Sequence, residues 1–510
     1  MPGAQRPTRG GSPVSSSEPA APATIIGNLG RGRRLFGERP LLVTGGGQTT
    51  TYAEFAELVE GAAAHLAAEG MRPGDRLAVC ARNGLDIAVA IWACARGGFV
   101  FAGLPTNLDA TAWAALCDHV DPAVVLAGEE FLDSLGHGAR PLAGELTGRR
   151  LPWDEQRPLP AAGDVYAVVF TSGTTGRPKA AMVTHQAAMT VAAFYRGLLG
   201  LTPADRTAIH LPFSYVSGHI SQLNPFLLAG GAAVTMPRFS AAELLRVIAA
   251  HRISVLDVVP SIFALLLREP GFGTAATASL RAAYFGGAPM PPATIDALRD
   301  RQPALRLFNV YGMSETAGLI TALPDEDLAA QPGSVGRPVA GAQVRIDADS
   351  GELLVRGPTV MPGYWNDPAA TAAAVDGDGW LHTGDIARVD AGGYLRIVDR
   401  VTDMINRGGV KIYPADVEHA LTSHPDVQSA AAVGLPDGMA GEAVAACVVL
   451  RPDAPTDLTE VRAHVRALLP VHARPRRLLS VEAIPRNATG KLDRTAVRDL
   501  LAGPAGPEAG

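Results

Sequence analysis

In one stretch of the chain, an apolar segment is followed at once by a loop of glycines and hydroxyl-bearing residues. Residues 165–179 read VYAVVFTSGTTGRPK. The β-branched and aromatic residues 165–170 predict a buried strand, which the residues after them cannot continue. Glycines let main-chain N–H groups converge on an anion, hydroxyls add donors and lysine adds a positive charge. The loop therefore predicts a polyphosphate site formed by Thr171, Ser172, Gly173, Thr174, Thr175, Gly176 and Lys179.

This loop differs from the P-loop of kinases and ATPases, which has four residues between its first glycine and a Gly-Lys-Ser/Thr end. The Gly490-Lys491 pair is followed by Leu492, and Pro485 stands where the first glycine of a P-loop would be. Taken alone, residues 171–176 could also form a flexible surface loop of low complexity. The motifs farther along the chain favour the phosphate site.

The composition is typical of a globular protein with at least two domains. The 510 residues are 47% hydrophobic and 18% charged, and Lys+Arg 44 against Asp+Glu 50 gives a net charge of -6. Because there is no basic surplus, we expect neither nucleic acid nor an anionic membrane as a partner. The four cysteines lack metal-ligand spacing. Cys80, Cys94 and Cys117 are predicted to be small core residues, which fits a reducing cytoplasm.

The first 24 residues are rich in Pro, Ser, Gly and Ala and lack the apolar stretch of a secretory signal, so we expect a disordered tail. The sequence contains no run of 18 apolar residues without a charge, so we expect no membrane span. From Thr51 onward, helix and strand patterns alternate. A helix over 55–67, a strand over 76–80, a helix over 85–96 and a strand over 99–104 begin a rhythm that continues to a helix over 241–251. This rhythm predicts an α/β fold with largely parallel sheets flanked by helices.

Further clusters combine glycine with polar residues. They are AYFGGAP at 283–289, NVYGMSET at 309–316, WLHTGD at 380–385, DRVTDMINRGGVKIYP at 399–414 and PRNATGKLDR at 485–494. The first two leave an apolar strand for a turn, which is the kind of strand end at which α/β proteins bind ligands.

Together with the phosphate loop, these motifs resemble in order and spacing the adenylate-forming superfamily, which comprises acyl-CoA synthetases, peptide-synthetase adenylation domains and beetle luciferases. The resemblance extends from TYAEF at Thr51 to the C-terminal motif and is closest to acyl- and aryl-CoA ligases. It implies a large N-terminal domain over 25–399, a hinge at 400–402 and a small mobile α+β domain over 403–510.

The resemblance implies that a carboxylate attacks the α-phosphorus of Mg·ATP, that pyrophosphate departs, and that the acyl group passes to the thiol of CoA or of a carrier protein's phosphopantetheine. Preorganised donors and Mg²⁺ would supply most of the rate. The phosphate loop, with Thr175 as a catalytic residue, would hold the β and γ phosphates, and Glu315 would bind Mg²⁺. The remaining implied ATP-binding residues are Gly287, Ala288, Asn309 and Tyr311 around the adenine, Asp385 and Arg400 at the ribose, and Gly312 with Ser314, which replaces the family's usual Thr.

Two C-terminal motifs imply a change of domain orientation between the half-reactions. Lys491 matches the family lysine that bridges the carboxylate and the α-phosphate during adenylation only. The small domain then withdraws this lysine and inserts the loop that contains Gly408 and Gly409, whose missing side chains make room for pantetheine. The hinge position is Thr402, where the family usually has Asp or Lys.

The sequence constrains the identity of the acid substrate less closely than that of the nucleotide. The segment LPFSYVSGHI at 211–220 resembles the family's gate motif, with Tyr215 where many acyl-CoA synthetases have His. No Asp or Glu lies between His210 and Asn224 to pair with the ammonium of an amino acid. Small and apolar residues favour a flat aromatic or a medium aliphatic acid. This predicted substrate pocket comprises Tyr215, Ser217, Gly218, Phe285, Gly286 and Met313.

The first hypothesis is therefore a cytoplasmic acid:CoA ligase that uses ATP and Mg²⁺. The second is a free-standing enzyme that loads an acyl carrier protein. The third is adenylation of a different oxyanion such as nitrite, as in the family's diazotase branch. A non-enzymatic nucleotide sensor is disfavoured because Lys491, Glu315 and the phosphate loop are all present. The sequence leaves a homodimer open.

Overall fold

The computed structural model describes residues 22–171, 179–339, 341–401, 403–408, 410–438, 441–452, 454–455, 457–486 and 492–503. Thr24, which the composition assigns to the tail, caps the first helix because its Oγ1 accepts a hydrogen bond of 3.0 Å from the Gly27 N–H. The folded part therefore begins before the predicted boundary.

In the described residues up to 338, fifteen strands form two sheets. They are β1 Pro40–Thr44, β2 Thr49–Thr51, β3 Arg76–Cys80, β4 Val100–Gly103, β5 Val124–Ala127, β6 Arg140–Pro141, β7 Val165–Thr171, β8 Lys179–Thr184, β9 Arg206–Ile209, β10 Ala232–Thr235, β11 Val255–Val258, β12 Ala282–Phe285, β13 Arg306–Tyr311, β14 Thr321–Leu323 and β15 Arg337–Pro338. The nine-stranded sheet has the order β15-β14-β13-β12-β11-β9-β10-β1-β2, and the six-stranded sheet has the order β6-β5-β3-β4-β7-β8. Antiparallel pairs occur only toward the sheet edges among these strands, as at β7–β8 and β13–β14.

Twelve α-helices connect these strands and follow them in the N-terminal part that the structure describes. They are α1 Ile25–Phe36, α2 Tyr52–Ala68, α3 Leu85–Gly97, α4 Ala110–Val120, α5 Leu132–Leu135, α6 His185–Leu198, α7 Asn224–Ala229, α8 Ala241–His251, α9 Pro260–Leu266, α10 Pro292–Arg301, α11 Asp325–Leu328 and α12 Pro368–Ala374. A π-helix, Ser217–Leu223, leads directly into α7. The predicted rhythm of helices and strands is confirmed, with α8 and β3 matching their predicted bounds.

A third sheet, which the sequence pattern does not predict, is wholly antiparallel. It comprises β16 Gln343–Ile346, β17 Glu352–Arg356, β18 Leu381–Val389 and β19 Leu395–Arg400. Arg400, predicted to begin the hinge, is the last residue of β19, and the Val401 N–H still donates to the Gly384 carbonyl oxygen at 2.8 Å. The sheet therefore continues into the first two residues of the predicted hinge.

The smaller C-terminal domain packs helices on a mixed sheet of order β21-β20-β23-β22, with β24 parallel to β23. Its elements are β20 Ile405–Arg407, β21 Val410–Ile412, α13 Pro414–Thr422, β22 Val427–Asp437, β23 Gly441–Leu450, α14 Leu458–Leu468, β24 Arg477–Ser480 and α15 Arg494–Ala502. The predicted α/β class, with a large domain of parallel sheets and a second smaller domain, is confirmed.

The cysteines lie in the core, as the sequence predicts for three of them. Cys80, Cys94 and Cys117 are buried free thiols as predicted, and Cys447 is buried as well. Burial raises the pKa of the Cys117 thiol to about 11, so it stays protonated. Within the described residues, no helix has both the length and the apolar character that a membrane span requires.

One carboxyl group lies deep in the nine-stranded sheet. Asp257 on β11 is paired in register with Tyr284 on β12, and only 7% of Asp257 is exposed. The Tyr284 hydroxyl donates to the Ser221 carbonyl oxygen at 2.8 Å. Burial raises the pKa of Asp257 well above its ordinary range because the charged form is poorly solvated there.

We expect Asp257→Asn to stabilise the protein at neutral pH. Between the ordinary pKa and the raised pKa the folded state binds more protons than the unfolded state, so rising pH lowers the free energy of unfolding. The neutral amide removes this cost, because it does not ionise. Thermal unfolding of both proteins at about pH 4 and about pH 7.5 should show a gain at the higher pH only. A loss of stability that is equal at both pH values would contradict this prediction.

Candidate active site

The two ends of the predicted phosphate loop face each other across an antiparallel strand pair. Thr171 ends β7, Lys179 begins β8, and the two residues are partners in the register. The loop residues Ser172, Gly173, Thr174, Thr175 and Gly176 lie outside the described residues. Lys179, predicted to be a mobile charge at the end of the loop, is anchored by strand pairing at its main chain.

An aromatic side chain joins Lys179 to Glu315. The Lys179 Nζ lies 4.9 Å from the centroid of the Tyr364 ring, and the Tyr364 hydroxyl donates to Glu315 Oε1 at 2.8 Å. Glu315 is only 6% exposed, and its carbonyl oxygen accepts from the Met361 N–H at 2.8 Å. The ring attracts the ammonium group, and the hydroxyl orients the carboxylate. One side chain therefore positions a cation and an anion together.

Tyr364 is held there by main-chain pairing with the outer edge of β8. The Met182 N–H donates to the Gly363 carbonyl oxygen at 3.1 Å, and the Trp365 N–H donates to the Ala180 carbonyl oxygen at 2.8 Å. Burial and the neighbouring Glu315 carboxylate raise the pKa of the Tyr364 phenol, so it remains a donor. Sequence reasoning missed Tyr364, because a Gly-Tyr-Trp run in a loop carries no chemical signal of its own.

A second hydrogen-bonded group connects the nine-stranded sheet to the antiparallel sheet. The Tyr311 hydroxyl donates to Asp385 Oδ2 at 2.5 Å, and Arg400 Nε donates to Asp385 Oδ1 at 3.1 Å. Asp385 and Arg400 are register partners on β18 and β19. Burial, and then the nearby Asp385 charge, raise the pKa of Tyr311 well above its ordinary value. Each carboxylate oxygen keeps a further acceptor site, because a carboxylate can accept about four hydrogen bonds.

The residues assigned to the adenine lie at the ends of the neighbouring strands β12 and β13. Asn309 Nδ2 donates to the Ser334 carbonyl oxygen at 2.9 Å. Gly287 follows β12 with a φ of +76°, and Ala288 beside it is exposed. Ser314 begins a short 3₁₀-helix, Ser314–Thr316, that carries Glu315. The structure thus brings these residues to one edge of the sheet.

Three glycines of the predicted ligand sites are required by close main-chain packing. A Cβ atom at Gly218 would lie 2.8 Å from the Pro212 carbonyl oxygen and 2.9 Å from Phe213 Cα. A Cβ atom at Gly286 would overlap the Val310 carbonyl group, and one at Gly312 would overlap the main chain of Gly318. The small size of these residues therefore does not by itself indicate an opening for substrate.

The other predicted substrate residues differ in exposure. Tyr215, Ser217 and Met313 are partly exposed. The Phe285 ring, by contrast, is 1% exposed and lies in the core, edge-to-face against Phe263 at a centroid distance of 6.5 Å. In this structure Phe285 contributes to the core and not to an open pocket wall.

A further residue that sequence reasoning missed orders the gate segment. Asn83 is buried, its Nδ2 donates to the Leu211 carbonyl oxygen at 2.9 Å, and its Oδ1 accepts from the Phe213 N–H at 2.9 Å. This amide therefore fixes the start of the segment that carries Tyr215.

Of the C-terminal site residues, the structure describes Gly408, which lies between β20 and β21 with a φ of +61° that glycine tolerates well. Thr402, Gly409 and Lys491 lie outside the described residues. The residues that flank Lys491 are well anchored, because Arg486 pairs with Leu492 and Arg494 bonds to Glu418 at 2.7 Å.

The family models match both parts of the chain. The AMP-binding enzyme model matches residues 32–365, and the AMP-binding enzyme C-terminal domain model matches residues 416–491. The chain belongs to the AMP-binding enzyme family.

Relatives of this AMP-binding enzyme are CoA ligases. It is 35% identical over 477 residues to the 3-[(3aS,4S,7aS)-7a-methyl-1,5-dioxo-octahydro-1H-inden-4-yl]propanoyl:CoA ligase of Mycobacterium tuberculosis, covering 88% of this chain and 94% of the relative. It is 33% identical to a feruloyl-CoA synthase of an Amycolatopsis species, covering 89% and 94%. The structure of the o-succinylbenzoate CoA synthetase of Bacillus subtilis with ATP and magnesium superimposes with a TM-score of 0.82 at 30% identity, covering 93% and 99%. The resemblance to the adenylate-forming superfamily is thus confirmed, and the protein is an AMP-forming ligase of the acyl-CoA synthetase type.

In this AMP-binding enzyme we expect Gly312→Ala to destabilise the fold. The added methyl group would meet the main chain of Gly318 and Leu319, which cannot rotate away as a side chain could. Overpacking of this kind typically costs about 1–3 kcal/mol, which denaturant unfolding can measure.

Gly197→Ala is the matched control, because nothing lies within 4 Å of a Cβ atom at this exposed helical position. That substitution should be neutral or stabilising by up to about 1 kcal/mol. Equal stability of both variants would contradict this prediction, because the main chain near Gly312 would then move to accommodate the methyl group at little cost.

Proposed function

We propose that this protein is an ATP-dependent acid:CoA ligase. It adenylates a carboxylic acid with release of pyrophosphate and then transfers the acyl group to CoA. The observation that carries the proposal is the contact of Tyr364 with both Lys179 and the buried Glu315, directly beside the ends of the phosphate loop. Such a pairing of one cation and one carboxylate suits a metal-bound polyphosphate.

The phosphate end of ATP would lie between these groups. Thr171, Lys179 and the intervening loop would hold the β and γ phosphates through hydroxyl, main-chain N–H and ammonium donors. Glu315 fits Mg²⁺, because it is a buried carboxylate with one oxygen held by Tyr364 and the other without a described partner. When bound, the ion would neutralise charge on the phosphates. The ATP and magnesium complex of the Bacillus subtilis synthetase supports this role.

The adenosine would lie across the ends of β12 and β13 and the middle of β18. The adenine would contact the Tyr311 ring, the Asn309 amide and the Gly287-Ala288 segment. The turn that follows β13, with Gly312 and Ser314, would lie next to it. Asp385 would accept both ribose hydroxyls, with Tyr311 and Arg400 keeping its carboxylate in one orientation. Asn309 would use its amide oxygen, since its nitrogen already bonds to Ser334.

The acid would be aromatic or medium aliphatic. The three relatives described above are named for acids that each contain a ring. Their names support a ring-bearing acid as the substrate here. Tyr215, Ser217 and Met313 would contact it, with Asn83 holding the gate segment in place. Gly218 and Gly286 would contribute main chain to the walls of the pocket.

The acceptor step would follow a rotation of the C-terminal domain. The chain would pivot close to Thr402, after the strand pairing that ends at Val401. Lys491 would assist adenylation, and Gly408 with Gly409 would then line the path of the pantetheine thiol. Loading of an acyl carrier protein and adenylation of nitrite are the alternatives that the assay below separates.

We expect pyrophosphate release from Mg·ATP with aryl or aliphatic acids, and a thioester product when CoA is added. Amino acids and nitrite should give no release. Lys491→Ala should slow acid-dependent release by about 10²–10³, yet leave thioester formation from a synthetic acyl-adenylate unchanged. Turnover that stops at the adenylate despite CoA would favour a carrier protein, and release with nitrite alone would overturn the proposal.

We expect Tyr364→Phe to weaken the response to Mg²⁺. The ring still contacts Lys179, but Glu315 loses the donor that orients it. A hydrogen bond to a charged group contributes about 1.5–3 kcal/mol, so the half-saturating Mg²⁺ concentration should rise about tenfold or more. Tyr364→Leu removes the ring as well and should also raise the KM for ATP. A Phe variant with wild-type Mg²⁺ dependence and stability would contradict this.

A further inference from the structure

A polar cluster lies buried behind the gate segment. We call it the inner cluster and define it by Asp257 on β11, Tyr284 on β12, Tyr195 on α6 and Ser221 on the π-helix. The centroids of the Tyr195 and Tyr284 rings lie 4.7 Å apart, and the Tyr195 hydroxyl bonds to the Ser221 side chain. None of these four residues takes part in the proposed mechanism. A carboxyl group in such a core is costly unless it has a use there.

The inner cluster adjoins the residues assigned to the acid. Ser217 and Ser221 are about one turn apart on the π-helix, so they share a face of it. A Cβ atom at Gly318 would lie 3.5 Å from Ser221 Oγ and 3.1 Å from Val216 Cγ2, so the chain that follows Met313 passes directly beside the cluster. Ser217 and Met313 are partly exposed, whereas Ser221 is 5% exposed. The cluster therefore lies at the inner end of two segments that would contact the acid.

The direction of the hydrogen bonds leaves one acceptor in the cluster unused. The Tyr284 hydroxyl donates to the Ser221 carbonyl oxygen at 2.8 Å, and a carbonyl oxygen can only accept. The Tyr284 oxygen must then accept from Asp257, which requires a protonated carboxyl group. Burial raises the pKa of Asp257 well above its ordinary range, in agreement with this direction. The carbonyl oxygen of the neutral carboxyl group remains as an acceptor.

This acceptor is not matched by another group of the protein. In the part of the chain that the structure describes, Tyr284 is the recorded hydrogen-bond partner of Asp257, and no arginine, lysine or histidine pairs with its carboxyl group. Asp257 nevertheless keeps 7% of its surface exposed in the middle of a nine-stranded sheet, so it borders a small open space. A buried acceptor without a donor costs free energy, which a donor on a ligand would recover.

We propose that Asp257 accepts a hydrogen bond from a hydroxyl group at the end of the acid far from its carboxylate. This inference rests on the proposed function and makes the substrate a hydroxylated ring acid. The apolar residues of the pocket would hold the ring, and the neutral carboxyl group would select the hydroxyl. An ammonium group in the same place would need an ionised Asp257, which Tyr284 could not stabilise because its hydrogen is already donated to Ser221.

The test measures pyrophosphate release from Mg·ATP by the full-length enzyme with ring acids that differ only at the ring position farthest from the carboxylate. Phenylacetate, phenylpropanoate and cinnamate, each with its 4-hydroxy and 4-aminomethyl derivatives, vary the length of the acid. For the length that fits, kcat/KM in the wild type should favour the hydroxylated acid over the unsubstituted acid by about tenfold to a hundredfold.

Two variants of Asp257 separate hydrogen bonding from packing. Asp257→Leu removes the acceptor and should reduce the ratio of the two kcat/KM values to about one. Asp257→Asn keeps an acceptor oxygen, and its amide nitrogen can donate to Tyr284, so it should retain most of the wild-type ratio. A ratio between two acids measured on one variant does not depend on the fraction of folded enzyme.

Thr235→Val is the matched control. Thr235 is a polar residue of the same sheet that is only 1% exposed, and it lies on β10, which β9 separates from β11. Loss of its hydroxyl group removes a buried polar group of the sheet outside the inner cluster. This variant should keep the wild-type ratio.

Equal kcat/KM values for the hydroxylated and unsubstituted acids at every length in the wild type would overturn the proposal, as would an unchanged ratio in Asp257→Leu. A preference for an aminomethyl acid that Asp257→Leu abolishes would overturn the assignment to a hydroxyl group. Failure of every carboxylic acid to support pyrophosphate release would overturn the proposed function instead. Calorimetric titration of the same acids into wild type and Asp257→Leu then decides the inner cluster separately, because it does not depend on turnover.

Discussion

The pairing of residues 363–365 with the edge of the six-stranded sheet positions the groups on the proposed phosphate side of the site. β8 is the last strand of its sheet, so its outer main-chain groups need partners. Gly363 and Trp365 supply them, and Tyr364 between them is thereby placed against Lys179 and Glu315. The orientation of a cation and a carboxylate thus depends on main-chain hydrogen bonds of a segment that contributes neither group.

The proposed ribose side depends on a different kind of constraint, the register of the antiparallel sheet. This register sets Asp385 opposite Arg400, and Tyr311 reaches the same carboxylate from the nine-stranded sheet. Tyr311 ends β13 and Glu315 lies four residues later, so one short segment carries a member of each hydrogen-bonded group. A shift of β13 would therefore disturb both ends of the proposed nucleotide site together.

The sequence predicts those parts of the molecule that local patterns specify. The helix over 241–251 has clear apolar spacing and a serine cap at Ser240, and both are properties of neighbouring residues. Tyr364 and Asn83 act across long stretches of chain, and nothing in their local sequence marks them. The motif predicts Gly312 as an ATP-binding residue, whereas the requirement for glycine there comes from the close approach of Gly318, which only the fold reveals. The family resemblance supplied Asp385 and Arg400, which local reasoning would have assigned to a turn and to the surface.

The proposed acid pocket and the proposed thiol path lie in different parts of the fold. The residues predicted from the sequence to line the acid pocket are uncharged, so their contribution to binding depends on shape and apolar contact. The C-terminal domain, which would carry the thiol path, has its own sheet and core. Because the two regions pack around separate cores, a change in one need not alter the other. Under the proposed function, acid preference and acceptor preference can then diverge independently, which is consistent with relatives that act on different acids.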